Sequence, residues 1–182
     1  MASDKKRKKK VAEVQIDSWK FDEGVLVGCP LKMRHPDCYL PIKSVLKKEK
    51  YKGRIPFDQQ KVLCLDKIEV DQAKAERRNQ RSTTDMAIGI VRGDGKGGKK
   101  IRLVECKFDV NNINGKLIED LKDKNQKTRD HYSFGNPIQK LFVVLLNGNF
   151  YEQGLRFIKN SFSDSPDCEV LTVNGFFNQY FV

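Results

Sequence analysis

Between residues 84 and 107 the chain reads Thr-Asp-Met-Ala-Ile-Gly-Ile-Val, then Arg-Gly-Asp-Gly-Lys-Gly-Gly-Lys-Lys, then Ile-Arg-Leu-Val-Glu-Cys-Lys. Two apolar runs joined by a glycine-rich polar segment read as a strand, a turn and a second strand. Such a hairpin commits the fold to a sheet with at least one antiparallel pair. Side chains in a strand alternate between faces, so Glu105 and Lys107 point the same way. Pairing across the turn then puts Asp85 beside Glu105. Met86, Ala87, Ile88, Ile90 and Val91 surround the first charge, and Ile101, Leu103, Val104 and Cys106 the other two. Charges set into strands this apolar are costly unless they have partners or a task. Two carboxylates that close repel unless a cation lies between them, and hard oxygen ligands suit Mg²⁺. A metal plus a lysine is equipment for hydrolysing a phosphodiester. The plainer alternative is an exposed hairpin with a cross-strand ion pair. Asp85 also shares its face with Ala87 and Gly89, small residues that leave room for a backbone to approach.

The remaining pattern extends the sheet. Val62, Leu63 and Leu65 precede a polar stretch in which Asp71 can cap a helix over Gln72 to Arg78. Asn112 or Asn114 can cap a helix over Lys116 to His131, with Leu117, Leu121, Thr128 and Tyr132 on one side. Lys140 to Asn147 contains a continuous apolar run of strand length, which fits a strand buried on both faces. Tyr151, Leu155, Ile158 and Phe162 fall at helical spacing, and Cys168 to Val173 reads as another strand. The order helix, hairpin, helix, strand, helix, strand describes an α/β fold: a mixed β-sheet flanked by helices. Upstream, Trp19 and Phe21 lie in a short alternating segment, and Gly24 to Cys29 reads as a short strand. Pro30, Pro36, Pro41 and Pro56 argue against long helices there, and Ser44 to Lys52 reads as a brief basic helix. The segment 11–60 has too few apolar residues for its own core, so it is expected to elaborate a core formed by 61–182 within one domain, 11–182.

Charge narrows the partners. The net charge is +11 over 182 residues. Residues 1–10 hold six basic residues and one acidic, while the remainder holds 29 basic against 23 acidic, so the body is itself positive. The tail is expected to be disordered, and a basic arm on a basic body suggests a polyanionic partner. There is no run of eighteen apolar residues and no signal-peptide pattern, so a soluble protein with no membrane partner is expected. Five widely spaced cysteines fit reduced thiols in a cytoplasmic setting, or a nuclear one in a eukaryote.

Three other motifs carry less. Gly93 to Lys99 satisfies the spacing of a phosphate-binding loop, but Lys100 follows where Ser or Thr is needed, and Ile101 onward is strand-like where a helix must begin. Lys96, Lys99 and Lys100 would instead be free to touch a nucleic-acid backbone. Cys29, His35 and Cys38 raise zinc, although they lack the short paired spacings of a structural site. His131 reads as a polar helix end rather than a general base, and Tyr39 and Tyr51 as packing residues rather than, with nearby lysines, a stacking and phosphate-contact surface.

An aspartate, a spacer holding a turn, and Glu-x-Lys closing a strand together resemble the signature of the PD-(D/E)xK nuclease superfamily, which includes restriction endonucleases and many repair nucleases. Thr84 stands where the motif's proline would be. The family core is a helix, three strands, a helix and a further strand, which is similar to the pattern expected over residues 71–147. The resemblance implies a restriction-endonuclease-like core and a metal-dependent endonuclease. Asp85, Glu105 and the main-chain carbonyl of Cys106 would ligate Mg²⁺ or Mn²⁺, and Lys107 would orient or deprotonate the attacking water. An additional acidic ligand from the preceding helix would be Glu69 or Glu76. DNA is implied over RNA as substrate, and two-strand cutters of this type are commonly homodimers. The alternatives are a catalytically inactive nucleic-acid-binding protein of the same fold, or an interaction module whose basic tail seeks an acidic partner.

Overall fold

The computed structural model describes residues 18–162 and 168–182; the basic tail lies outside them. Among the described residues, seven strands form one mixed sheet. β3 (Lys61–Cys64), β4 (Met86–Arg92), β5 (Lys99–Lys107), β6 (Phe142–Leu146) and β7 (Cys168–Leu171) lie side by side, and β2 (Tyr39–Pro41) closes the β3 edge. β1 (Trp19–Phe21) pairs with the distal half of β4. Pairing is antiparallel from β2 through β5 and parallel from β5 through β7. The antiparallel joins need only turns, whereas each parallel join needs a helical crossover. α4 (Gly115–His131) and α5 (Gly148–Ser161) supply them.

Helices cover both faces. Leu63, Ala87, Ile101, Leu103, Phe142 and Val144 pack with Ile68 of α3 (Leu65–Ala75), Ile118 and Leu121 of α4 and Ile158 of α5. On the other face Val62, Met86, Ile88, Val104, Val143 and Leu145 meet Ile42, Val45 and Leu46 of α2 (Ile42–Lys48) and Val173, Phe176 and Tyr180 of α6 (Val173–Tyr180). All five β6 residues are buried, as its unbroken apolar run requires. No helix among the described residues is long and apolar enough to cross a membrane.

The observed α/β order from α3 onward is helix, hairpin, helix, strand, helix, strand, then α6, whose N-cap Thr172 accepts from Gly175 N–H at 3.0 Å. Asn114 caps α4, accepting from Leu117 N–H at 3.1 Å. Three expectations are corrected. Asp71 caps nothing; it lies inside α3, which starts six residues earlier because β3 leads straight into it. Gly24 to Cys29 is not a strand. Asp22 accepts from Gly24 N–H at 2.7 Å and opens a 3₁₀ turn over Glu23–Leu26 that drops Val25 and Leu26 into the core. Between α3 and α4 there are two strands rather than three, because β3, the antiparallel neighbour of β4, precedes α3 in the chain.

Gly89 bears out the reasoning about small residues on that strand. The Asp22 main chain donates to Gly89 O at 3.0 Å. A Cβ on Gly89 would lie 2.5 Å from both the Asp22 carbonyl oxygen and Val25 Cβ. The backbone that approaches is the chain's own.

Candidate active site

The hairpin register sets the geometry. Met86 is opposite Val104, so Asp85, one residue before β4, falls opposite Glu105. Its carboxylate turns to the next residue, and Cys106 N–H donates to Asp85 Oδ2 at 2.5 Å. Asp85 and Glu105 are both almost wholly buried, at 3% and 1% exposure. Glu105 Oε1 lies 2.9 Å from Lys107 Nζ and 2.7 Å from Lys124 Nζ. Lys107 Nζ also reaches Asp120 Oδ2 at 3.1 Å. Asp120 and Lys124 stand four residues apart on α4, so both face β5. Glu105 Oε2 is buried with no hydrogen-bond partner.

Two more carboxylates converge from elements ahead of the hairpin. Leu63 is opposite Ala87 and Cys64 opposite Met86. That register carries Leu65 to Asp85, and Leu65 N–H donates to Asp85 O at 2.9 Å. Asp66, in the first turn of α3, comes next. Glu49 closes the C-terminus of α2. One carboxylate oxygen from each of Glu49, Asp66 and Asp85 lies within 4.8 Å of the others. Thr83 Oγ1 (3.2 Å) and Lys48 Nζ (3.0 Å) hold Asp66 in place.

The electrostatic consequence is large. Burial, then the charges of Glu105, Glu49 and Asp66, push the Asp85 carboxyl up to about 9, against the hydrogen bond from Cys106. Burial also holds Glu105 above the ordinary carboxylate range, and Lys124 and Lys107 oppose it only in part. For Lys107, burial works against the ammonium form, but Glu105 and Asp120 outweigh it and the group stands above its usual value. Lys124 is raised for the same reason, chiefly by Glu105. Both lysines are therefore cations at neutral pH. Asp85 stands among the carboxylates of Glu105, Glu49 and Asp66 with the Lys124 ammonium as a neighbouring cation, and Glu105 has an unused oxygen.

These donors fit a divalent cation. Carboxylate oxygens are the hard ligands Mg²⁺ and Mn²⁺ take. A cation beside Asp85 would relieve the repulsion that burial amplifies, with one oxygen from each of Glu49 and Asp66 within reach. An open groove of about 310 Å³ adjoins the cluster, lined by Lys48, Glu49, Lys50, Cys106, Lys107, Phe108, Asp109 and Val110; Asp85, Asp66 and Glu105 lie behind this lining.

The structure thus gathers Asp85, Glu105, Cys106 and Lys107 at one place. It does not bring Glu69 or Glu76 there. Glu69 is tied to Arg78, to Arg81 N–H at 2.6 Å and to the Tyr132 hydroxyl at 2.6 Å. Glu76 pairs with Arg78 at the surface. α3 does supply an acid to the site, but from its first turn: Asp66. Glu49, Asp66 and Lys124 were missed in the sequence reading, since nothing local marks them. The usable signal was register, because a strand ending at Cys64 and pairing with Met86 carries Asp66 to Asp85. The Gly93–Lys99 segment is a hairpin turn with no helix after it, Gly95 and Gly98 taking positive φ. Lys99 opens the far end of β5, roughly 20 Å from Glu105 at a strand's usual rise. His131 is an exposed helix end.

A three-layer α/β fold thus holds a cluster of carboxylates, Asp85 and Glu105 buried and Glu49 and Asp66 half-buried, among Lys48, Lys107 and Lys124. Comparison with protein-family models, with curated proteins and with solved structures found no match.

Proposed function

We propose that this protein is a metal-dependent nuclease with a restriction-endonuclease-like core, hydrolysing phosphodiester bonds in DNA. The observation that carries the reading is the buried Asp85–Glu105 pair, with Glu105 Oε2 unpartnered and Lys107 held alongside. Mg²⁺ or Mn²⁺ would be held by Asp85 and Glu105, with the Cys106 carbonyl and either Asp66 or Glu49 as further oxygen donors. Bound there, the cation would lower the pKa of its water and neutralise charge on the scissile phosphate. The protein's own groups do the rest. Lys107, kept as an ammonium by Glu105 and Asp120, suits orienting the attacking oxygen and stabilising the charge that builds on the phosphate, rather than removing a proton. Lys124 holds Glu105 Oε1 in place. Lys48 and Lys50 line the groove and would position the backbone of the nucleic acid.

One departure weighs on the resemblance: the β-strand beside β4 comes before α3 rather than after it. One observation favours a second reading, a nucleic-acid-binding protein that does not cut. Two ammonium groups already neutralise Glu105 Oε1, which is how a fold holds a buried acid it no longer uses. Plasmid and branched DNA in Mg²⁺ or Mn²⁺ separate the two. The nuclease reading expects nicking that vanishes in Glu105→Ala and Lys107→Ala while DNA binding persists. Binding without cleavage of any substrate by the wild type makes the second reading the better one.

A further inference from the structure

A second cluster of metal-binding side chains lies on the other side of α3, away from the acidic site. His35 closes α1 (Pro30–Arg34), Cys38 ends a 3₁₀ turn over Pro36–Cys38, and Asp71 is on α3. One ligand atom from each lies within 4.8 Å of the other two. The thiol is fully buried, the imidazole half-buried and the carboxylate exposed. Cys29, the third residue raised by the spacing, is absent from this group and buried in the core.

We propose that His35, Cys38 and Asp71 form a zinc site with three protein ligands, the fourth position open to water. Donor chemistry selects the metal. A thiolate, an imidazole and one carboxylate suit zinc, whereas Mg²⁺ takes an all-oxygen set. The spacing agrees. Cys38 Sγ lies 3.4 Å from Asp71 Oδ2, and tetrahedral zinc with ordinary bond lengths puts a sulfur and an oxygen ligand about 3.5 Å apart. The frame is fixed without the ion. His35 N–H donates to Leu31 O at 2.9 Å and Cys38 N–H to His35 O at 3.0 Å, which locks the turn holding two of the ligands. Lys67 Nζ of α3 grips Asp37 O at 2.7 Å and pins that turn to the helix carrying Asp71. The Gln72 carboxamide stands 3.3 Å from His35 Nε2; turned so that its oxygen accepts from the ring N–H, it would orient an imidazole that binds the ion through Nδ1, the role outer partners of a metal-bound histidine commonly play. Zinc here would fasten the 35–38 turn to α3, whose first turn supplies Asp66 to the acidic cluster.

The test uses the full-length protein, stripped with a chelator and titrated with Zn²⁺ alone by calorimetry. One equivalent should bind, and Co²⁺ in its place should give a thiolate-to-cobalt charge-transfer band. Cys38→Ser and His35→Ala should each weaken Zn²⁺ by about 100-fold or more, since losing an outer partner already costs about 10–100-fold. Asp71→Asn, at an exposed position that tolerates change, serves as the variant sure to fold; it should weaken zinc while leaving the circular dichroism spectrum intact. Asp85→Asn should leave zinc binding unchanged, which keeps this site separate from the nuclease reading. No stoichiometric binding by the wild type overturns the proposal. So does binding that survives Cys38→Ser and Asp71→Asn together, or a Co²⁺ complex lacking the thiolate band.

Discussion

Glu69 and the Asp85–Glu105 pair are equally buried and are handled in opposite ways. Both oxygens of Glu69 are engaged, by the Arg78 guanidinium, the Arg81 amide and the Tyr132 hydroxyl. Burial pushes its carboxyl up, but these partners outweigh burial and bring it down to about 2. Asp85 accepts from the Cys106 amide, but burial and the charges of Glu105, Glu49 and Asp66 outweigh that bond and drive it up to about 9. Glu105 leaves one oxygen unused. The fold can therefore satisfy a buried carboxylate where only architecture is at stake. It declines to do so beside the groove. The first arrangement is a clamp joining α3 to the end of α4. The second stores repulsion that a bound cation would release.

The contrast can be broken at several points. The largest expected effect is on cleavage. Asp85→Asn or Glu105→Gln should cut the nicking rate by about 10³-fold or more by removing charge that serves the transition state, read from plasmid nicking at saturating Mg²⁺. Glu69→Gln should leave the rate of the folded enzyme near wild type but destabilise it by about 2 kcal/mol, because the Arg78, Arg81 and Tyr132 donors lose a charged acceptor; urea unfolding measures this. Mg²⁺ at a hundred times its dissociation constant should stabilise wild type by about 2.7 kcal/mol and Asp85→Asn by much less, seen as a shift in Tm. Without metal, Asp85→Asn should gain about 1 kcal/mol, as removals of functional strain often do.

The same contrast has a pH signature with opposite signs. Glu69 stands below its usual value, so its contribution is complete above the ordinary carboxylate range and is lost as pH falls toward 2. Asp85 stands above its usual value. Its contribution is complete below the ordinary range and is lost as pH rises toward 9. In a chelator, denaturation across that span should show Asp85→Asn flattening the alkaline decline and Glu69→Gln flattening the acid one.

What the sequence disclosed was local. The hairpin, the Asn114 cap and the buried β6 follow from short patterns, and the hairpin alone sufficed to group Asp85, Glu105 and Lys107. What it withheld was long-range. Glu49 and Asp66 meet Asp85 only because β3 docks on β4 and α2 packs below. Lys124 meets Glu105 only when α4 crosses β5. Asp71 was misread because capping propensity is a local preference, whereas the start of α3 is set by where β3 lets go of the sheet. Glu69 attracted attention as a helical acid, yet its three partners come from segments no spacing rule connects.

The bond from Cys106 to Asp85 has a practical corollary. An amide proton that close to a buried carboxyl oxygen is expected to resonate downfield of the main amide envelope in the nitrogen–proton spectrum. That single peak would shift as Asp85 loses its proton and again as a divalent ion arrives, so the titration and the occupancy of the cluster can be followed in one experiment, on the unmodified chain, with no substrate present.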